Sequence, residues 1–328
     1  MVTANPVLAH VIRSGFTESF HRGVLVALDA AGVPLVQAGP VDAPVFPRSS
    51  NKPLQAAAMV RCGLDLDGQL LALAAASHSG ESFHVAGVRE ILARAGLGDD
   101  ALQCPPALPL DEASGRELLR AGAGPDRLHM NCSGKHAAML ATCVAAGWPI
   151  ATYTDPAHPL QVQIRLEAER LAGEPVTAVG VDGCGAPLFA LSVTGLARAF
   201  RSMTQSDPGS PERKVADAMR AYPEWTSGSV RPERALMAAV PGLLLKSGAE
   251  GVEGFALADG RAGAFKLEDG AARARPPVTV ALLRLLGADK EDGADRDALD
   301  RVATVPVTGG GRVVGEIRAT LPATDGAG

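Results

Sequence analysis

With 328 residues, 47% of them hydrophobic, the chain is long enough for one large domain with a well-filled core or for two intimate ones. Its formal net charge is −5, from 31 Lys and Arg against 36 Asp and Glu, with the signs interspersed and no basic block. That balance argues against nucleic acid and against an anionic membrane as partners. No basic n-region with an apolar h-region opens the sequence, no apolar run approaches the roughly 18 residues of a membrane span, and five widely spaced cysteines leave an odd thiol; together these predict a cytoplasmic protein with reduced cysteines and neither signal peptide nor membrane span.

In chain order, residues 7–12 and 23–38 read as strands, the latter a hairpin around Ala30-Ala31-Gly32. A linker holding Pro40, Pro44 and Pro47 leads to Arg48-Ser49-Ser50-Asn51-Lys52-Pro53 and a helix to about Cys62. Ser and Asn suit an N-cap, proline is tolerated in a first turn, and Gly63 stops the run. From 65 to 222 apolar residues recur at three- and four-residue spacing, predicting helices near 68–76, 83–96, 111–121, 135–147, 158–172 and 211–222. A strand-like run at 176–181 interrupts them. Strands return at 242–246, 254–257 and 262–267, followed by a helix at 277–287, a charged loop or solvated helix at 289–300 and a strand at 313–319.

No internal repeat is present. Strands at both ends with helices between them predict an α+β fold in one domain over 1–328. An antiparallel sheet built from about 5–45 and 241–320 is flanked by helices, with a helical subdomain from about 49–240.

The strongest local chemical signal is Ser49-x-x-Lys52 at a helix start, where residues i and i+3 share a side. A neutral lysine there can take the serine proton during attack on a carbonyl, and the helix N-terminus favours the developing negative charge. Only six residues are lysine against 25 arginines. Arginine stays protonated whereas a buried lysine can lose its proton, so each lysine is a candidate base. The ordinary alternative is an N-cap followed by a solvated lysine.

Downstream, Leu243-Leu244-Leu245-Lys246-Ser247-Gly248 places Lys-Ser-Gly on a strand. A Ser-x-x-Lys on a helix, a second serine among helices and a Lys-Ser/Thr-Gly strand form the active-site set of the penicillin-binding and serine β-lactamase fold. Lys246 as a second cation would keep Lys52 neutral. Gly248 would let the strand edge come close, with an N–H beyond it joining that of Ser49 as an oxyanion hole. For the second serine, Ala76-Ser77-His78-Ser79-Gly80-Glu81 offers Ser77 first and Ser79 second. A separate group, Asn131-Cys132-Ser133-Gly134-Lys135-His136 with Asp182-Gly183-Cys184-Gly185, has the thiols and imidazole that Zn²⁺ favours. Two buried free thiols, or a redox pair, are the other readings.

These segments together resemble the asparaginase II family, the Rhizobium-type or class 3 L-asparaginases. The matching pieces, in the family's order, are Arg48 to Pro53, Ser77 to Glu81, Cys132 to His136, Asp182-Gly183-Cys184-Gly185-Ala186-Pro187, Lys246 to Val252 and Lys266-Leu267-Glu268-Asp269-Gly270. The resemblance implies hydrolysis of L-asparagine to L-aspartate and ammonia, a fold like that of serine β-lactamases and serine-dependent glutaminases, and a homodimer. It implies two Ser–Lys pairs, Ser49 with Lys52 and Ser77 with Lys246, and a zinc site with ligands on Cys132, Lys135 and Cys184. Arg48, His78, Ser79, His136 and Asp182 are expected around the substrate, with Arg48 facing its carboxylate and Asp182 and His136 orienting the site or the amino group. Lys266 rivals Lys246, because both sit on strands in matching segments. The Ser-Asp-Asn triplet of the β-lactamases is absent.

The resulting expectation is acyl transfer by a cytoplasmic L-asparagine amidohydrolase acting on a small molecule. A glutaminase or broader amidase is the nearest alternative, since one methylene is worth only about 1–3 kcal/mol to a pocket. A penicillin-recognising hydrolase is disfavoured by the missing export signal, and a zinc- or redox-responsive binding protein is the non-enzymatic alternative.

Overall fold

The structure is a computed structural model that describes residues 4–321. Residues 1–3, part of the stretch read for a signal peptide, and 322–328 lie outside the described residues. Strand β1 (Val7–Arg13) leads into β2 (Phe16–Leu28), and β3 (Pro34–Ala38) completes the predicted hairpin. β2 begins seven residues before its apolar run, because 16–22 is a half-exposed stretch with polar residues between Phe16, Phe20 and His21. After β4 (Pro44–Val45) a single 3₁₀ turn, Arg48–Asn51, opens α1 (Lys52–Arg61). Helices α2 (Gly68–Ala74), α3 (Ser82–Arg94), α4 (Glu112–Arg120), α5 (Ser133–Ala146) and α6 (Pro159–Ala172) follow. All lie within a few residues of the predicted positions.

The predicted strand at 176–181 contracts to β5 (Val179–Val181), which pairs with β6 (Pro187–Phe189), while β7 (Leu191–Ser192) pairs with β4. Then come α7 (Val193–Gln205), α8 (Pro211–Ala221), α9 (Pro223–Thr226) and α10 (Pro232–Ala239). Strands β8 (Leu244–Gly248), β9 (Val252–Ala256) and β10 (Ala262–Leu267) precede α11 (Arg275–Leu285), α12 (Arg296–Ala303), β11 (Val305–Gly309) and β12 (Arg312–Ala319).

The main sheet has the order β11-β12-β1-β2-β10-β9-β8, with β3 also paired to β2. Every pairing is antiparallel. The two ends of the chain therefore meet in one sheet, giving the expected α+β architecture. β2 is its hinge: the half before Gly23 pairs with β1, and the half from Gly23 pairs with β10.

The core explains why the second half of β2 is apolar without alternation. Val24, Val26 and Leu28 point into one apolar cluster with α1, α2, α5 and α7, and Leu25 and Ala27 point into another with α10, α11 and α12. A strand buried on both faces reads as a continuous apolar run. The helix absent from the sequence prediction, α7, covers the first face. Its Leu196, Ala197, Phe200 and Met203 are fully buried, each large apolar side chain contributing about 1.5–3 kcal/mol. The Ser192 hydroxyl caps this helix by accepting from the Gly195 N–H at 2.8 Å. α9, α10, β4, β6, β7 and β11 are likewise additions to the prediction.

Candidate active site

The 3₁₀ turn carrying Ser49 is wedged between the start of α1 and the edge strand β8. Lys52 and Pro53 open α1, so the lysine side chain runs beneath the turn and is 1% exposed. Its Nζ donates to the Ala76 carbonyl at 2.6 Å, to Ser77 Oγ at 3.0 Å and to Cys132 Sγ at 3.0 Å. Ser77 sits just past α2, where its N–H donates to the Thr226 carbonyl at 3.1 Å. From the other side Lys246 on β8 donates to Ser77 Oγ at 2.9 Å and to the Ser247 carbonyl at 2.8 Å. One buried hydroxyl thus bridges two lysines, and Ser49 and Ser77 both line a cavity of about 160 Å³.

Two rivals are separated by this geometry. Lys266 is half-buried among Glu250, Asp269 and Glu268, with its Nζ on the Leu267 carbonyl, and does not meet Ser77. Ser79 Oγ donates to the Ser227 carbonyl at 2.9 Å. The sequence reading makes Lys246 a cation. Burial first, and the Lys52 charge across Ser77 second, push the Lys246 ammonium well below its ordinary range, a direction that favours the neutral amine there.

Gly248 explains how the strand edge comes so close. A Cβ there would lie 2.5 Å from the Pro47 carbonyl oxygen and 3.1 Å from the Ser50 nitrogen. Only a residue without a side chain lets β8 press against the turn that carries Ser49. Arg48, directly before Ser49, has φ of 52°, a left-handed conformation that costs a non-glycine residue energy and persists only where the surroundings enforce it. Here the enforcement includes an ion pair: Arg48 Nε donates to Asp182 Oδ1 at 2.8 Å, and Glu250 Oε1 lies 3.8 Å from Nη1.

Behind Lys52 lies the thiol cluster. Lys135 Nζ donates to Cys184 Sγ at 3.1 Å, and the Cys132 thiol donates to Asn131 Oδ1 at 3.1 Å. Cys132 and Cys184 interact with one another, and Cys184 also lies beside the His136 ring. His136 Nδ1 is paired with the Tyr153 hydroxyl at 2.7 Å, while its buried Nε2 has no hydrogen-bond partner among the described residues. Among the described residues no three His, Cys, Asp or Glu side chains converge as a metal-binding group. Cys132, Lys135 and Cys184 are a set of another make, two thiols and an amine. Burial opposes the Lys135 ammonium, but the neighbouring Cys184, Cys132 and Asp182 charges outweigh it and raise its pKa. Metal ligation there requires that proton to leave.

Three expected substrate contacts are displaced from the cavity. His78 is fully buried, with Nε2 on Ser133 Oγ at 2.8 Å and Nδ1 accepting from the Gly80 N–H at 3.1 Å. Ser79 is 1% exposed and His136 fully buried. All three are hydrogen-bonded to neighbouring loops and helices and do not line the cavity. Arg48 and Asp182 are paired with each other beside the Ser49 turn. The cavity wall instead includes Asn131, Arg231, Ser247 and Arg275. Asn131 belongs to a segment that the sequence flagged. Arg231 and Arg275 lie outside every motif, and nothing local distinguishes them from the other arginines.

No curated protein sequence matches the chain. Among solved structures it is similar to the native form of Mglu, at 17% identity and TM-score 0.45, covering 84% of this chain and 66% of that one. A second Mglu structure, obtained in 4.3 M NaCl, gives 15%, 0.44, 83% and 62%. A putative β-lactamase from Bacteroides dorei gives 15%, 0.39, 86% and 93%. The chain thus spans slightly less than two-thirds of the length of the Mglu chains. In sequence, residues 9–319 match L-asparaginase II, a span that includes every segment converging on Ser49 and Ser77. The chain belongs to the L-asparaginase II family.

Proposed function

We propose that the protein is an L-asparagine amidohydrolase that works through an aspartyl-enzyme on Ser49. The observation that carries this reading is the Lys52–Ser77–Lys246 chain beside Ser49, with Ser77 Oγ 3.0 Å and 2.9 Å from the two lysine nitrogens. Ser49 Oγ attacks the side-chain carboxamide carbon while its proton passes to the lysine–hydroxyl chain through Lys52. The burial that favours neutral Lys246 leaves its nitrogen with a lone pair to receive that proton in passing. The tetrahedral oxygen is stabilised by N–H groups at the Ser49 turn and along the β8 edge. Collapse breaks the C–N bond, and the stored proton returns through Ser77 to the leaving nitrogen, releasing ammonia. Water then attacks the ester, the same chain takes its proton, and L-aspartate leaves with Ser49 restored.

The reading also includes Zn²⁺ on Cys132, Lys135 and Cys184. It is supported by the two soft sulfur donors and by the unpartnered imidazole nitrogen of His136 beside them. A bound ion would neutralise the thiolates and tie the 131–136 and 182–185 segments together.

The test is ammonia release from L-asparagine and L-glutamine by wild type and Ser49→Ala. Wild type should prefer asparagine, and Ser49→Ala, folded by its thermal melt, should lose more than about 10³-fold in kcat. Retention of most activity by Ser49→Ala would remove the nucleophile assignment, and glutamine preference would change the substrate.

A further inference from the structure

We infer that Arg231, backed by Arg275, is the site's receptor for a substrate carboxylate, and that it makes the enzyme specific for amides carrying a free carboxylate. The inference rests on the amidohydrolase reading above and assigns its substrate class. Both guanidiniums line the cavity shared by Ser49 and Ser77, and both are held from behind by carboxylates out of contact with solvent. Glu233, 4% exposed, accepts from Arg231 Nε and Nη2, both at 3.3 Å, from Arg275 Nη1 at 3.2 Å and from Ser247 Oγ at 2.5 Å. Glu253 accepts from Arg275 Nη1 at 3.0 Å and from the Thr279 hydroxyl at 2.6 Å.

The donors left over point to an anion. Arg231 Nη1 has no partner among the described residues, its two bonds to Glu233 are long, and its side chain is 25% exposed. Arg275 Nε is buried and unpartnered among the described residues. A planar guanidinium already fixed in orientation loses little freedom on binding a second carboxylate, and its fork matches that group. Arg48, the residue that the sequence motif favours for this task, already has Asp182 at 2.8 Å on Nε and Glu250 near Nη1. The cavity, at about 160 Å³, lies well below the roughly 300–1,000 Å³ typical of drug-sized ligands, so a carboxylate on the Arg231 wall and an amide at Ser49 belong to one short molecule.

The experiment has two arms. In the first, wild type and Arg231→Gln are compared on L-asparagine and on its α-amide, in which the carboxylate is a carboxamide. In the second, succinate, an unreactive dicarboxylate, is titrated calorimetrically into Ser49→Ala and Ser49→Ala/Arg231→Gln. Arg231→Gln should lower kcat/KM for asparagine by about 10- to 100-fold, the range for a hydrogen bond to a charged group, and change that for the α-amide by less than about 3-fold. Succinate affinity should fall by the factor seen with asparagine. Arg231→Lys, which keeps the charge without the fork, should fall between wild type and Arg231→Gln in both arms and carries the test if Arg231→Gln is unstable. Equal losses on the two substrates, or succinate binding indifferent to Arg231, would overturn the assignment while leaving the amidohydrolase reading intact. Arg231-dependent succinate binding by a wild type that hydrolyses no amide would uphold the receptor and sink the amidohydrolase reading.

Discussion

Replacing Gly248 with alanine tests whether the strand edge sets the position of the nucleophile. The new Cβ would sit 2.5 Å from the Pro47 carbonyl oxygen, where ordinary contact begins at 3.4 Å. Both the oxygen and the neighbouring Ser50 nitrogen are backbone atoms, so no side chain can swing aside. The 3₁₀ turn and β8 must separate by nearly 1 Å, and a misplacement of about 1 Å at a reacting group costs on the order of 10²-fold in rate. Overpacking of this kind also costs about 1–3 kcal/mol of stability, a shift of several degrees in Tm. The assay is ammonia release with a parallel thermal melt, using Gly124→Ala as control, because a Cβ at Gly124 meets nothing within 4 Å. The expected result is a folded Gly248→Ala protein with kcat down by about 10²-fold and a control indistinguishable from wild type. If kcat for Gly248→Ala stayed within about 3-fold of wild type, the turn would be shown to tolerate displacement and the reasoning from contact distance would fail.

Three further outcomes are expected. Lys246→Arg keeps a cation but forbids the neutral amine, so activity should fall by about 10²–10⁴-fold; wild-type kcat/KM should rise with pH to a plateau below the ordinary lysine pKa, and a rise continuing to pH 10.5 would refute the depressed value. His84, buried and hydrogen-bonded from Nε2 to the Glu224 carbonyl at 3.0 Å, has its pKa lowered by burial from 6.5 to about 4. The unfolded state therefore binds more protons between those values, and stability present above pH 6.5 should be lost by up to about 3 kcal/mol as pH falls to 4; chemical denaturation across that window should show the loss in wild type and a flatter profile in His84→Gln. Finally, wild type dialysed against Zn²⁺ and then free of it should retain the ion by atomic absorption, whereas Cys132→Ser and Cys184→Ser should not; equal retention by all three would place the metal elsewhere or nowhere.

Much of the candidate site's layout was legible because its segments are local. Ser49 and Lys52 are three residues apart at a helix start, and Lys246-Ser247-Gly248 sits on a strand whose apolar run is plain. The α+β plan was legible for a similar reason: strand-like runs cluster at both ends of the chain. Helix α7 escaped because Thr194 and Gly195 at its start are poor helix formers, and much of its stability comes from the sheet beneath rather than from local propensity. Arg231, Glu233 and Arg275 escaped because their association depends on pairing α10, β8 and α11 in space. The burial of His78 and Ser79 was not legible, because a dense polar motif looks the same whether its groups face a substrate or satisfy one another. The burial of Lys52 and Lys246 around one hydroxyl, which opposes a charge on Lys246, cannot be read from spacing.

The pairing of β2 with β10, and of β1 with β12, also dictates when this protein can fold. Gly23 waits for Leu267, and Ala9 for Ala319. At about 5–20 residues per second a ribosome takes roughly 12–50 s to cover the first of these separations. During that interval the N-terminal strands have no partner on that edge, and the helical segments, rich in short-range contacts, can form first. The nascent chain therefore carries exposed apolar strand edges until residues 267 and 319 have emerged, and its yield in a cell should depend on chaperone supply and on the rate of translation as well as on the stability of the folded protein.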